Sequence, residues 1–208
     1  GRLLDRLPTP PSLRAAVVQG SLPEDTEGLV KLDVYERLTE QAARDGARIV
    51  VWPESAVPYR TDTDGVYRAH VERLAARLGI DLVVGSVTAA SGSGYHNSDV
   101  LIRPDKGVAG VQPKRQLVPF GEYVPLARWL PFLRQVVPGL APVSAGPALT
   151  VLRFPVAGDG EASLAPMICF DAIFPEIARG FARQDPDFLV NPTNDAWYGY
   201  SSGPYQFL

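Results

Sequence analysis

The chain is poor in the residues that most often carry chemistry. It has one cysteine, Cys169, and two histidines, His70 and His96, in 208 residues. A single cysteine excludes an internal disulfide, so the redox compartment cannot be read from it. The net charge is -3 and the Lys and Arg residues are scattered. No basic stripe is therefore present to follow a nucleic-acid backbone. No apolar run approaches the length of a membrane span, and no secretory leader pattern stands at the start. There is no glycine-rich phosphate loop and no His, Cys and Asp cluster with metal-ligand spacing.

Proline is plentiful, with 20 in the chain. Several lie at 8–11 and between 113 and 155, which predicts long ordered loops. Residues 1–12 read as a linker, and 13–208 as one domain of the usual size. Within it, 46% hydrophobic and 21% charged residues suit a globular α/β domain.

The pattern along the chain predicts strands at 13–19, 47–52, 80–87, 97–102, 108–112, 149–154, 163–168 and 188–190. Helices are predicted from a Thr26 or Asp25 cap to about Asp45, from Gly65 to Leu78, and from Pro175 to 184. Strands alternating with helices imply a sheet with helices on its outer face. In such sheets the chemistry sits beyond the carboxyl ends of the strands. Glu54, Lys114 and Cys169 occupy three such ends.

Cys169 lies in the stretch from Ala165 to Ala178, an apolar strand followed by a short turn and then a proline-initiated helix. An elbow of this kind exposes a side chain beside backbone N–H groups that stabilise a thiolate or an oxyanion. The plain alternative is a small buried hydrophobe, as most lone cysteines are. A thiol nucleophile needs a base. His70 reads as a solvated mid-helix residue, and nothing local ties His96 to the cysteine. Glu54 is the other choice, since a carboxylate becomes a competent base for a thiol where burial raises its proton affinity. Lys114 would hold the charges of both and donate to an oxyanion, with the Phe170 N–H as second donor. Taken singly, Glu54 and Lys114 are more simply a surface carboxylate and a solvated loop charge. The G-x-S-x-G match at 199–203 carries no triad, because no Asp or His follows it.

Four stretches, residues 50–58 (VVWPESAVP), 114–125 (KRQLVPFGEYVP), 167–175 (MICFDAIFP) and 194–199 (NDAWYG), resemble the nitrilase superfamily. They resemble most closely the nitrilase-like domain of the apolipoprotein N-acyltransferase family. The resemblance implies an α-β-β-α sandwich and a Glu54, Lys114 and Cys169 triad, with Glu122 as a supporting glutamate that orients Lys114 or assists Glu54. It implies no metal or cofactor. It also implies transfer of an acyl chain from a phospholipid to the amine of a lipoprotein's diacylglyceryl-cysteine, at the extracytoplasmic face of a bacterial membrane. The membrane segments of that family are not in this chain. A cut after the last preceding helix is expected from this, and a carboxyl-terminal truncation of the sandwich from the stop at Leu208, before the helix and strands that normally complete it.

Trp129, Leu130, Phe132 and Leu133 sit close together in the proline-rich loop. They are expected to form an apolar lid that shields a thioester from water or dips into lipid, with ordinary packing over the sheet as the alternative. Two positions depart from the family pattern. Asp171 stands where the family has a longer Glu, so a contact reaching into the site is expected to be lost or bridged by water. No Trp lies near Glu24. The competing function is a free-standing amidase or nitrilase that uses the same triad with water as second nucleophile; a degenerate binding module is the third reading, and retention of all three triad residues argues against it.

Overall fold

Helix α2 follows most directly from its sequence in the computed structural model, which describes residues 13–23, 25–90, 94–125, 143–156 and 160–195. It runs Gly65–Leu78, as predicted. Asp64 caps it by accepting the Tyr67 N–H at 2.9 Å, and Gly79 ends it at φ 65, a left-handed conformation that costs glycine little. Helix α1, Gly28–Arg44, begins differently from the prediction. Neither Thr26 nor Asp25 caps it; Glu27 stands at the cap position without a side-chain hydrogen bond. Tertiary contact sets this start. A Cβ on Gly28 would lie 2.8 Å from both Pro58 Cγ and Tyr59 Oη, so the first turn is pressed against the loop that follows Glu54.

The strands among the described residues form two sheets. In the first, β1 (Ala15–Val17), β2 (Ile49–Val51) and β3 (Asp81–Ala89) run parallel, and β4 (Tyr95–Arg103) and β5 (Gly107–Pro113) continue antiparallel. In the second, β6 (Leu152–Val156) pairs antiparallel with β7 (Gly160–Pro166), which pairs parallel with β8 (Phe188–Val190). Most strand ends shift by one to three residues from the prediction, and β6 runs Leu152–Val156 rather than 149–154. β1 is shorter than 13–19, and β7 stops at Pro166 rather than Ile168. Helix α3, Pro175–Ala182, follows a 3-10 turn at Cys169–Ile173.

Side-chain alternation sorts these elements into four layers. Val50, Trp52, Leu82, Val84, Val100 and Ile102 pack against Leu32, Tyr35, Val71 and Leu74 of α1 and α2. Ile49, Val51, Val83 and Leu101 point the other way and meet Leu152, Phe154, Ala162 and Leu164 of the second sheet. Ala165 then packs under Ile177 and Phe181 of α3. The order is helix, sheet, sheet, helix: the α-β-β-α sandwich implied by the resemblance.

One polar contact inside this packing fixes the end of β2. Trp52 is wholly buried, stacks on Tyr35 with ring centroids 5.2 Å apart, and donates its indole N–H to Thr39 Oγ1 at 2.8 Å. Thr39 in turn donates to the Tyr35 carbonyl. A buried indole with its donor satisfied is held in one orientation. Pro53 and Glu54 follow directly from this anchor.

Candidate active site

The carboxyl ends of β2, β5 and β7 deliver Glu54, Lys114 and Cys169 to one place. Lys114 follows β5 directly, and its backbone is clamped by Lys114 N–H to Asn97 O and Gly146 N–H to Lys114 O, both 2.7 Å. Its side chain is 1% exposed, so the solvated-charge reading does not apply. The ammonium lies 2.9 Å from Glu54 Oε1 and 2.9 Å from Glu122 Oε1. Glu122 is itself aimed by its own loop, since Oε2 accepts the Val118 N–H at 2.8 Å. Glu54 is also buried. Its Oε1 accepts from Asn97 Nδ2 at 2.6 Å.

Cys169 opens its turn at φ 50. A non-glycine residue in that region carries strain, and such strain concentrates at functional sites. Backbone contacts over-determine it: Cys169 N–H donates to Pro192 O at 3.0 Å, and Met167 N–H to Val190 O at 2.9 Å. The thiol donates to the Glu54 carboxylate, and the Phe170 backbone N–H donates to the sulfur. Burial and then the Glu54 charge push the thiol up to about 12, against the opposing pull of Lys114 and the Phe170 N–H. Burial alone would lower the Lys114 ammonium; Glu54, Glu122 and Cys169 outweigh it and hold the ammonium above its ordinary range. At rest the site therefore holds a thiol and a firmly charged lysine.

Asp171 is fully buried. Its oxygens accept three backbone N–H groups: Gln116 at 2.6 Å, Arg115 at 3.2 Å and Ile168 at 3.2 Å. The shorter carboxylate thus has its own partners in the backbone on both sides of the site. Burial raises its carboxyl, and these N–H groups oppose the rise.

The histidines go elsewhere. His70 Nε2 lies 3.0 Å from Glu36 Oε2, in a cluster with Arg77 that joins α1 to α2, so it is not a merely solvated residue. His96 Nδ1 meets the Ser144 carbonyl at 2.7 Å. A cleft of about 340 Å³ opens over the site, lined by Glu54, Lys114, Glu122, Tyr95, Asn97 and Asn194. Among the described residues there is no cluster of His, Cys, Asp and Glu that could hold a metal ion. Trp129, Leu130, Phe132 and Leu133, the expected lid, lie outside the described residues, as do residues 1–12 and the 199–203 match.

A model of the carbon-nitrogen hydrolase family matches residues 14–208. The chain belongs to the carbon-nitrogen hydrolase family. It is 36% identical over 208 residues to an apolipoprotein N-acyltransferase of Geobacter metallireducens, covering 94% of this chain and 38% of that protein. It is 32% identical over 225 residues to an apolipoprotein N-acyltransferase of Chlorobaculum tepidum, covering 95% of this chain and 42% of that protein. The chain thus spans about two fifths of the length of these relatives. Among solved structures it is similar to an amidase from a Nesterenkonia species, with TM-score 0.65, 20% identity and coverage of 90% of this chain and 69% of that one. A carbon-nitrogen hydrolase from Helicobacter pylori G27 superposes with TM-score 0.64 at 20% identity, covering 87% of this chain and 60% of that one. At that identity the likeness concerns the fold.

Two polar residues of this carbon-nitrogen hydrolase domain were not singled out from sequence. Asn97 holds Glu54, and Asp99 lies two residues further along β4. A signal was available: Asn97, Ser98 and Asp99 are consecutive polar residues in a strand that otherwise reads as buried, and buried polar groups require partners or a role.

Proposed function

We propose that this chain is the catalytic domain of an apolipoprotein N-acyltransferase that uses Glu54, Lys114 and Cys169 as its triad. The observation that carries the triad is the placement of the Cys169 thiol on the Glu54 carboxylate, with the buried Lys114 ammonium 2.9 Å from that same carboxylate. The names of the relatives support the acyl-transfer reading, as does the match over nearly the whole chain. No helix among the described residues is long and apolar enough to cross a membrane. In this reading the domain meets phospholipid and lipoprotein at the extracytoplasmic face of a bacterial membrane, held there by segments outside this chain.

The thiol is pushed up to about 12, so it attacks as its proton leaves rather than as a standing thiolate. Glu54 takes that proton as sulfur bonds to the ester carbonyl carbon of the phospholipid. The carbonyl electrons move to oxygen. That oxyanion is met by Lys114, whose ammonium has three N–H groups and gives two to Glu54 and Glu122, and by the Phe170 N–H. The tetrahedral adduct collapses, the C–O bond breaks, and Glu54 returns the proton to the departing lysophospholipid. In the second half the lipoprotein amine attacks the thioester and passes its proton to Glu54. The C–S bond breaks, and the proton goes back to Cys169. Glu122 keeps Lys114 in place through both halves. A thioester that waits for an amine needs shelter from water, the task assigned to the apolar stretch with Trp129, Leu130, Phe132 and Leu133.

The test is to incubate the protein with phospholipid vesicles and weigh it. One acyl chain is expected on Cys169, removable by hydroxylamine and passed on to a peptide bearing a diacylglyceryl-cysteine amine. No adduct on Cys169, with turnover of a small amide instead, would overturn this function in favour of an amidase.

A further inference from the structure

Asp99 has no part in the reaction as written above. It is wholly buried on β4, and neither of its carboxyl oxygens has a hydrogen-bond partner among the described residues. Strand register sets its position. It lies opposite Gly85 of β3 and Gln112 of β5, and directly opposed residues in antiparallel pairs share a face. On that face the backbone of residues 53–55 rests on Gly85, where a Cβ would lie 2.1 Å from Pro53 O and 2.8 Å from Glu54 Cα. Asn97, on the same face, donates its Nδ2 to Glu54 Oε1 and leaves its own Oδ1 without a partner among the described residues. Asp99 therefore belongs to the floor beneath Glu54.

The surrounding groups do not supply what a carboxylate needs. Gln112 gives its Nε2 to Pro113 O at 2.6 Å, and its Oε1 takes the Thr150 N–H. From the end of β5, the Lys114 ammonium is bonded to Glu54 and Glu122. From the turn after β7, Asp171 brings another carboxyl, occupied by three backbone N–H groups. Leu101 continues the face as apolar surface. A carboxyl buried without a cation or an N–H donor takes up a proton rather than bear a bare charge. Burial first, then the charges of Glu54 and Asp171, push the Asp99 carboxyl well above its ordinary range.

We propose that Asp99 stands as a neutral carboxylic acid, a positioning residue that floors the site and leaves Glu54 as the negative charge that faces the thiol. This rests on the reading of Glu54 as the base for Cys169. Two carboxylates in one site share a proton. An ionised Asp99 would set a second negative charge beneath Glu54 with no donor among the described residues to meet it. A neutral Asp99 leaves the Lys114 ammonium to Glu54 and Glu122.

Infrared difference spectra of the wild type and Asp99→Asn test this at neutral pH, in H2O and D2O. The wild type is expected to show the carbonyl stretch of a protonated carboxylic acid, shifted in D2O and missing from the variant. Acylation of Cys169 by phospholipid should stay within about threefold of wild type at neutral pH, since the amide keeps the shape and the neutrality. At alkaline pH the band should give way to that of an ionised carboxylate in the wild type, a change that Asp99→Asn should lack. Either a wild type without the band or a variant that keeps it would overturn the proposal. Asp99→Ser serves in the same comparison if Asp99→Asn does not fold. The spectrum does not depend on turnover, so a protein that acylates nothing but shows the band would sink the acyltransferase reading and leave the neutral Asp99 standing.

Discussion

Asp171 accepts the backbone N–H of Gln116 at 2.6 Å, and through it the turn that carries Cys169 is tied to the strand end that carries Lys114. The same carboxylate accepts from Arg115 on one side and Ile168 on the other. Cys169 and Lys114 follow strands of different sheets, and this carboxylate is a direct link between their backbones.

Asp171→Ala is expected to destabilise the fold by about 2–4 kcal/mol, because it strands three backbone donors in a buried place. Asp171→Glu is expected to cost about 1–3 kcal/mol despite keeping the charge, since an added methylene in a fully buried site must displace its neighbours. Urea unfolding measures both. A neutral Asp171→Glu would show that the pocket yields.

Lys114→Ala should slow acylation of Cys169 by about a hundredfold or more, the usual cost of losing one oxyanion donor. Rapid quenching with detection of the acyl adduct measures it. An unchanged rate would remove Lys114 from the oxyanion role.

Glu54→Gln should separate two properties of the thiol. Burial and the Glu54 charge raise the Cys169 thiol to about 12, so removal of that charge lowers it. The pH profile for alkylation of Cys169 by iodoacetamide is expected to shift toward lower pH in Glu54→Gln. Acyl transfer should collapse in the same variant, because the proton has no acceptor. An alkylation profile that stays in place would mean that Glu54 does not face the sulfur.

Gly85→Ala is expected to damage the site from beneath. Its Cβ would meet Pro53 O at 2.1 Å and Ser55 N at 2.7 Å, and both are backbone atoms that cannot swing away. The loop bearing Glu54 must then lift. A loss of about 3 kcal/mol or more is expected, with acylation slowed even in the folded fraction. Thermal unfolding and single-turnover acylation together measure it.

Much of the architecture was legible from the chain. Helix α2 was legible from Gly65 to the Gly79 that stops it, and the continuous hydrophobicity of 80–87 marked a strand buried on both faces. The start of α1 was not legible, because contact with Pro58 and Tyr59 decides it rather than a local cap. His70 looked solvated for a similar reason. Its partner Glu36 is 34 residues away on the neighbouring helix.

The sequence by itself determined the inventory of the site: a lone thiol at a strand-to-helix elbow, with a carboxylate and a lysine at two other strand ends. Local patterns carry that much, since strand ends follow from hydrophobic runs and turn residues. The tertiary structure alone decided which groups touch. Long-range packing placed the Lys114 ammonium between Glu54 and Glu122, bonded Asp171 to backbone N–H groups, and buried Asp99. Partners brought together by strand register and sheet packing leave no periodicity for a single sequence to show.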